Sequence, residues 1–147
     1  MIRKFRQEDE DAIIQVWLEA SSVGHHFIPL AYWESLVKDV RDTYLPQNET
    51  YVYTDSTTGD IAGFLTLSGD YIAGIFVAPD YHGQGIGQAL MAHAKKLRTR
   101  LELKVYTENT RAFSFYLRQG FKISREQTDE DTGHKEYVMV YRESLSI

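Results

Sequence analysis

The segment 75–98 limits the possible folds of this chain most, because an apolar strand runs through a glycine-rich turn into an amphipathic helix. The strand reads IFV at 75–77, and APDYHGQGIGQAL follows it with glycines at 83, 85 and 87. One stripe of the helix predicted over 85–98 carries Ile86, Leu90, Met91, Ala94 and Leu97. Glycines let backbone N–H groups approach an anion closely, and a helix start adds the positive end of its dipole. The sequence therefore predicts a phosphate-binding loop at 83–87.

Two common phosphate motifs do not fit this loop. The P-loop ends in Gly-Lys-Ser or Gly-Lys-Thr, and the dinucleotide fingerprint needs a third glycine where Leu90 stands. The stretch 75–94 contains no lysine or arginine, so backbone donors must provide most of any phosphate contact. A flexible loop without a ligand is the alternative explanation of the glycines.

Length and composition describe the rest of the chain. With 147 residues and no repeat or linker, residues 1–147 are predicted to form a single domain. The absence of cysteine excludes disulfides, thiolate zinc sites and cysteine nucleophiles. A net charge of -5 argues against a nucleic-acid partner and suits a cationic amine, while a solvated acidic surface is the ordinary alternative. Because neither a signal sequence nor a run of about 18 apolar residues is found, we expect a cytoplasmic protein without a membrane partner.

Hydrophobic periodicity predicts a mixed α/β layer. Alternation and turn residues indicate strands at 2–6, 51–54, 61–67, 71–77, 101–105, 121–128 and 135–141. Helical spacing indicates a first helix around 12–20 and three further helices at 30–44, 85–98 and 110–119. Pro46 is expected to end the second helix, and Gly120 stands where a helix C-cap belongs.

Two segments resemble the GNAT superfamily of N-acetyltransferases. HGQGIG at 82–87 is similar to the family signature of arginine or glutamine, two residues, glycine, one residue, then glycine or alanine. His82 departs from that pattern, so a weaker side-chain grip on phosphate is expected. VYTENTRAFSFYLRQGF at 105–121 resembles the family's second half, which contributes Asn109, Ala112, Tyr116, Gly120 and Phe121. SSVGHHFIP at 21–29 resembles a small, single-domain bacterial subgroup.

The resemblance implies the acyl-CoA N-acyltransferase fold, a mostly antiparallel mixed sheet of six to seven strands with about four helices on both faces. It also implies acetyl-CoA as the co-substrate, with no metal. A bulge in the fourth strand would let pantetheine dock like an added strand, and a free N–H of Phe76 or Val77 would polarise the thioester carbonyl. The residues implied in cofactor binding are Ile75, Phe76, Val77, His82, Gly83, Gln84, Gly85, Ile86, Gly87, Gln88, Asn109 and Tyr116.

The same resemblance implies that Tyr116 is the general acid that protonates the departing thiolate. A phenol with a reference pKa of about 10 can protonate a thiolate with a reference pKa of about 8.5 in a mildly uphill step. Without the resemblance, Tyr116 is better explained as a packed aromatic side chain of a helix. Asn109 would hydrogen-bond the cofactor, or alternatively only cap the following helix.

An amine acceptor requires groups that steer or deprotonate an ammonium ion. His25, His26 and Asp70 are the candidates, although a histidine pair in a loop and an aspartate in a turn are ordinary surface features. Phe27, Tyr32 and Tyr71 are expected to line the same cleft, while Trp33 suits core packing better. The predicted reaction transfers an acetyl group to a primary amine, of a protein or a small molecule, by direct attack in a ternary complex. A non-catalytic acyl-CoA-binding module is the alternative, and the sequence leaves open whether the protein is a monomer or a homodimer.

Overall fold

The computed structural model describes residues 1–143, which form seven strands and several helices. The strands are β1 (Ile2–Lys4), β2 (Glu49–Thr54), β3 (Ile61–Ser68), β4 (Tyr71–Val77), β5 (Arg100–Tyr106), β6 (Lys122–Thr128) and β7 (Lys135–Arg142). The α-helices are α1 (Glu10–Gly24), α2 (Leu30–Ser35), α3 (Val37–Asp39), α4 (Leu45–Gln47), α5 (Ile86–Leu97) and α6 (Thr110–Arg118). A π-helical turn spans Val40–Tyr44, and two 3-10 turns span Gln7–Asp9 and Pro79–Tyr81.

All seven strands form one sheet in the order β1-β2-β3-β4-β5-β7-β6. Neighbouring strands are antiparallel except β4 and β5, which run parallel and pair only at Tyr71 and Glu102. The predicted mixed, mostly antiparallel α/β fold is therefore confirmed. The sheet divides into β1–β4 on one side of this junction and β5, β7 and β6 on the other.

Each face of the sheet carries its own hydrophobic core. The face under α5 and α6 buries Leu65, Leu101 and Leu103 against Leu90 and Met91 of α5, all at most 2% exposed. The other face buries Val52 and Phe64 beneath side chains of α1 and α2, namely Ile13, Val16, Trp17 and Trp33. Helices thus cover both faces, as predicted. Within residues 1–143, no helix is both long and apolar enough to span a membrane.

The second predicted helix, 30–44, is wrong as a single helix. The segment breaks into α2, α3, the π-helical turn and α4, and Pro46 lies inside the first turn of α4 instead of ending the helix at Tyr44. Proline is tolerated at a helix start because its missing N–H is not needed there. The N–H of Leu45 donates to the carbonyl of Val40, five residues earlier, which is the wide spacing of a π turn. This turn brings Tyr44 over Gly74 of β4, where a Cβ would lie 2.7 Å from the tyrosine hydroxyl.

Candidate active site

The parallel strands β4 and β5 separate beyond their one pair and open a groove. The β3–β4 register shifts between Thr66 and Leu67, so that Ala73 is an extra residue in β4. Beyond this bulge, β4 remains paired with β3 but no longer with β5. The groove has a volume of about 680 Å³ and is lined by β4, by the glycine-rich loop and by α6. The bulge expected in the fourth strand is therefore present.

The backbone of β4 presents alternate residues to this groove. The Phe76 carbonyl points toward β3, since a Cβ on Gly63 would lie 2.7 Å from it, and the Ala78 N–H donates to Ala62 across the same edge at 2.8 Å. Because strand residues alternate in direction, Ile75 and Val77 present their N–H and C=O groups to the groove. Of the two residues that the sequence suggested for polarising a carbonyl, Val77 and not Phe76 has the required orientation.

The glycine-rich loop leaves open space at the start of α5. Gly83 and Gly85 have φ angles of +80° and +79°, in the left-handed region that favours glycine. A Cβ at either position would meet no atom within 4 Å. Gly85 is the N-cap of α5, whose first N–H groups have no acceptor within the helix. The loop thus has the geometry of an anion-binding site, and of its predicted residues only Gln84 does not line the groove.

Helix α6 forms the opposite wall. Asn109 is the N-cap of this helix, with Oδ1 accepting from the Ala112 N–H at 3.3 Å, and the residue also lines the groove. Tyr116 lies deeper, 9% exposed, and packs against Phe115 and Phe121. Burial raises the pKa of the Tyr116 phenol above its usual range, and Tyr71 raises it further. The phenol is therefore protonated throughout the neutral range.

His82 and Arg111 meet beside the loop. The Nε2 atom of His82 lies 3.1 Å from the Val77 carbonyl oxygen, and Nδ1 lies 2.9 Å from Nη1 of Arg111. Both residues line the groove. Arg111 was not identified from the sequence as a neighbour of this loop, because it is 29 positions from His82 in the chain and lies in the segment of α6. The absence of lysine and arginine at 75–94 indicated backbone donors for most of the phosphate contact, and it gave no indication of a cation contributed by a distant segment.

The two candidate histidines lie in different places. His26 is exposed and lines the groove. His25 instead packs between Trp33 and Tyr106, with ring centroids 5.1 Å and 5.2 Å away, and its Nδ1 atom is buried without a hydrogen-bond partner. This burial lowers the pKa of His25 to about 4. His25 is thus neutral at pH 7 and is a weak base.

An acidic turn lies next to these aromatic side chains. Phe27 packs against Tyr106 and His134 at 5.5 Å and 5.1 Å, and the Tyr106 hydroxyl donates to Asp129 at 2.5 Å. The ring of Tyr32 packs against Trp33 with centroids 5.0 Å apart, and burial, Asp131 and Asp129 raise the pKa of Tyr32. We call His25, Phe27, Tyr32, Trp33, Tyr106 and His134, together with Asp129 and Asp131, the aromatic-acidic surface. It joins the α1–α2 connection to the β6–β7 turn.

Tyr71 and Asp70 lie at the closed end of the β4–β5 junction. The ring of Tyr71 has the Lys104 ammonium 6.0 Å from its centroid, and burial, Glu136 and Glu102 raise the pKa of Tyr71 to about 12. Asp70 is a turn residue that lies 3.7 Å from Arg98, and neither Asp70 nor Tyr71 lines the groove. Sequence reasoning also missed Glu136, a 7% exposed carboxylate that accepts from Gln127 at 2.6 Å. Within residues 1–143, no cluster of three potential metal ligands is present.

The seven-stranded sheet opens between β4 and β5 beside a glycine-rich helix start, and comparison with known proteins gives the family of the chain. Residues 46–123 match the model of the acetyltransferase (GNAT) domain. The chain belongs to the GNAT family of N-acetyltransferases. It is 38% identical over 124 residues to the peptidyl-lysine N-acetyltransferase YiaC of Escherichia coli, with 84% of each chain covered.

Solved structures agree with this assignment. Apo YjaB from Escherichia coli superimposes with a TM-score of 0.85, at 27% identity and with 98% of each chain covered. The PaiA N-acetyltransferase of Thermoplasma acidophilum, solved in complex with coenzyme A, superimposes with a TM-score of 0.80 at 23% identity, covering 97% of this chain and 98% of PaiA. The resemblance seen in the sequence, to the GNAT family and to its small bacterial members, is confirmed.

Proposed function

We propose that this enzyme transfers the acetyl group of acetyl-CoA to a lysine side chain of a protein, by direct attack of the amine in a ternary complex. The observation that carries this proposal is the groove itself, where a glycine-rich loop with open space at a helix start, an unpaired strand edge and a buried tyrosine line one space. Two further observations support it: YiaC is a peptidyl-lysine N-acetyltransferase, and PaiA was solved with coenzyme A.

The groove has separate places for the parts of acetyl-CoA. The pyrophosphate would accept hydrogen bonds from backbone N–H groups of residues 83–88, where the open space in front of Gly83 and Gly85 leaves room for it. Pantetheine would run along Ile75 and Val77, whose backbone groups have no partner strand. Asn109 would contact the pantetheine chain from the opposite wall.

The reaction then needs one acid and one carbonyl-polarising group. The amine nitrogen bonds to the thioester carbon, the Val77 N–H stabilises the developing oxyanion, and the C–S bond breaks. Tyr116 donates its proton to the departing thiolate sulfur, the amine nitrogen releases its own proton to water to give the amide product, and Tyr116 regains a proton from water. The raised pKa of Tyr116 keeps the phenol protonated at neutral pH, and it also makes the proton transfer to the thiolate more uphill than it would be from an exposed tyrosine.

A lysine acceptor must lose a proton before it attacks. A side chain with a pKa of about 10.4 is neutral in about one molecule in 2,500 at pH 7, which costs about 4.6 kcal/mol. The aromatic-acidic surface would bind the cationic acceptor through carboxylates and ring faces, and His26 reaches the groove from the same segment of chain. Its pKa of about 4 makes His25 unsuitable as the base, so His25 supports this surface instead.

Two measurements test the proposal. Acetyl-CoA should raise the melting temperature, because a ligand at one hundred times its Kd adds about 2.7 kcal/mol to the free energy of unfolding. Thiol release should then be measured with lysine peptides, peptides with only a free N-terminal amine, spermidine and an aminoglycoside. We expect the highest kcat/KM with lysine peptides. A melting shift without thiol release from any amine would instead favour a non-catalytic acyl-CoA-binding module.

A further inference from the structure

The phosphate-binding loop carries no cationic side chain of its own. Residues 75–94 contain no lysine or arginine, and the position where the family signature has arginine or glutamine holds His82. Backbone N–H groups can bind phosphate oxygens, but a pyrophosphate also brings negative charge into a groove walled by protein. A cation placed beside the loop by another element would compensate for this charge.

Arg111, in the first turn of α6, is in position to supply that charge. Its Nη1 atom lies 2.9 Å from Nδ1 of His82, and both side chains line the groove. Arg3, Arg41 and Arg98 all form ion pairs with carboxylates at 3.1 Å or less. Arg111, in contrast, has no carboxylate within ion-pair distance in the described part of the chain. Its charge is therefore available to an anionic ligand.

The contacts of His82 determine how this arginine is held. A guanidinium can only donate, so Nδ1 of His82 must accept, and the ring proton lies on Nε2 and donates to the Val77 carbonyl at 3.1 Å. The imidazole in this arrangement is neutral. It connects Arg111 to the end of β4, so the cation is fixed relative to the strand edge and to the loop that begins at Gly83.

We propose that Arg111 is the cationic contact of the CoA pyrophosphate and that His82 is its positioning residue. The inference rests on the proposed use of acetyl-CoA. In this chain the positive charge comes from α6 instead of from position 82, and the side chain at 82 holds that charge by accepting a hydrogen bond. The weaker phosphate grip expected from His82 alone is then offset by Arg111.

The assignment predicts a specific order for substitutions of His82. His82→Gln keeps both contacts, because an amide oxygen can accept from Arg111 while the amide nitrogen donates to Val77. His82→Ala removes both contacts. His82→Arg restores the residue that is common in the family, but it can only donate and places a second positive charge against Arg111. Wild type and His82→Gln should therefore bind CoA with similar affinity. His82→Ala and His82→Arg should bind it more weakly.

The direct test is calorimetric binding of CoA, 3′-dephospho-CoA and pantetheine to Arg111→Gln. Loss of a charge-assisted phosphate contact should lower the affinity for CoA and for dephospho-CoA by about tenfold to a hundredfold. The affinity for pantetheine should not change. Arg6→Gln makes the same change in net charge outside the groove and should bind all three ligands as wild type does. In a double-mutant cycle, His82→Ala should add little to Arg111→Gln, because His82 acts through the arginine.

Three outcomes with Arg111→Gln would overturn the assignment. Unchanged CoA affinity in Arg111→Gln would show that Arg111 does not contact the cofactor. If pantetheine affinity fell as much as CoA affinity, Arg111 would only support the fold. If Arg111→Gln weakened the binding of CoA but not that of 3′-dephospho-CoA, the contact of Arg111 would be with the 3′-phosphate and not with the pyrophosphate. If the wild-type chain bound no acetyl-CoA, the proposed function would fail as well, so the two failures are distinguishable.

Discussion

The side of this enzyme that we propose binds the cofactor and the side that we propose binds the acceptor, called the cofactor side and the acceptor side below, are built in different ways. The cofactor side comprises the β4 edge, the loop at 82–88 and α6, and it offers mainly backbone groups to its ligand. The acceptor side is the aromatic-acidic surface, which consists of side chains from three distant parts of the chain. Backbone groups recognise features that every CoA molecule shares, whereas side chains can change with the amine to be acetylated.

Local regularity differs between the two sides as well. The cofactor side contains complete elements, such as the 12-residue helix α5 and the seven-residue strand β4. The acceptor side is built mainly from the α1–α2 connection and the β6–β7 turn, and it contains a partly buried histidine whose Nδ1 atom has no hydrogen-bond partner. Catalysis and cofactor binding should therefore respond to changes on the first side, and acceptor choice and pH-dependent stability to changes on the second.

The largest expected effect comes from removing the phenol of Tyr116. Tyr116→Phe should lower turnover by about 100-fold to 10,000-fold with little change in acetyl-CoA affinity, which is the contribution of a positioned general acid. The ring remains packed against Phe115 and Phe121, so the fold should be retained. The measurement is thiol release between pH 6 and 10, with folding checked by circular dichroism.

A matched control for this variant is Tyr137→Phe. Tyr137 is a partly buried tyrosine that packs against Phe113 at 5.0 Å and does not line the groove. The turnover of Tyr137→Phe should equal that of the wild type. If Tyr116→Phe kept more than about a third of wild-type turnover, Tyr116 would not be the acid, because general acid catalysis contributes at least about a hundredfold.

The next effect concerns the glycine-rich loop at 83–87, where we propose that the pyrophosphate binds. Gly85→Val should weaken CoA binding by about a hundredfold, because the side chain enters the open space where the pyrophosphate would lie and its contacts are lost. A left-handed valine also costs about 1–2 kcal/mol of stability. Gly59→Val is the control, since Gly59 has a φ of +78° in the β2–β3 turn and an equally open Cβ position. Equal CoA affinity in the two folded variants would contradict the placement of the site.

The smallest of the three effects lies on the acceptor side and depends on pH. The pKa of His25 falls to about 4 in the folded chain from a reference value of about 6.5. Between these values the unfolded chain binds a proton that the folded chain excludes, so the free energy of unfolding decreases as the pH falls from 6.5 toward 4. By pH 4.5 the loss should reach about 2.5 kcal/mol.

Urea denaturation at pH 7 and pH 4.5 measures this loss. His25→Phe should abolish most of it, because a phenyl ring packs against Trp33 and Tyr106 without titrating. His26→Gln should retain the full loss, since His26 is exposed. Burial also lowers the pKa of His93, which contributes to the pH dependence of every variant and cancels in the comparison. If the free energy of unfolding of His25→Phe fell between pH 7 and pH 4.5 as much as that of the wild type, His25 would not be the source of the loss.

The sequence predicted the local geometry of the proposed cofactor side better than that of the proposed acceptor side, for a physical reason. The loop at 83–87, its helix and the β4 strand are contiguous, and glycine spacing with hydrophobic periodicity determines them locally. Arg111 was missed because its position depends on how α6 packs across the groove from His82. The helix predicted at 30–44 failed because periodicity does not reveal a π turn. The adjacent His25 and His26 could not be told apart, since burial of His25 depends on contacts with Trp33 and Tyr106.

The single pair between β4 and β5 also determines which backbone amides are protected from hydrogen exchange. Phe76 faces the β3 ladder, so its amide should exchange slowly with solvent deuterium, while the amides of Ile75 and Val77 on the open edge should exchange rapidly. Pantetheine bound as an added strand would give these two amides acceptors and join the two halves of the sheet into one cooperative unit. The co-substrate would then act as a missing strand of the fold, and releasing the product would loosen the sheet again.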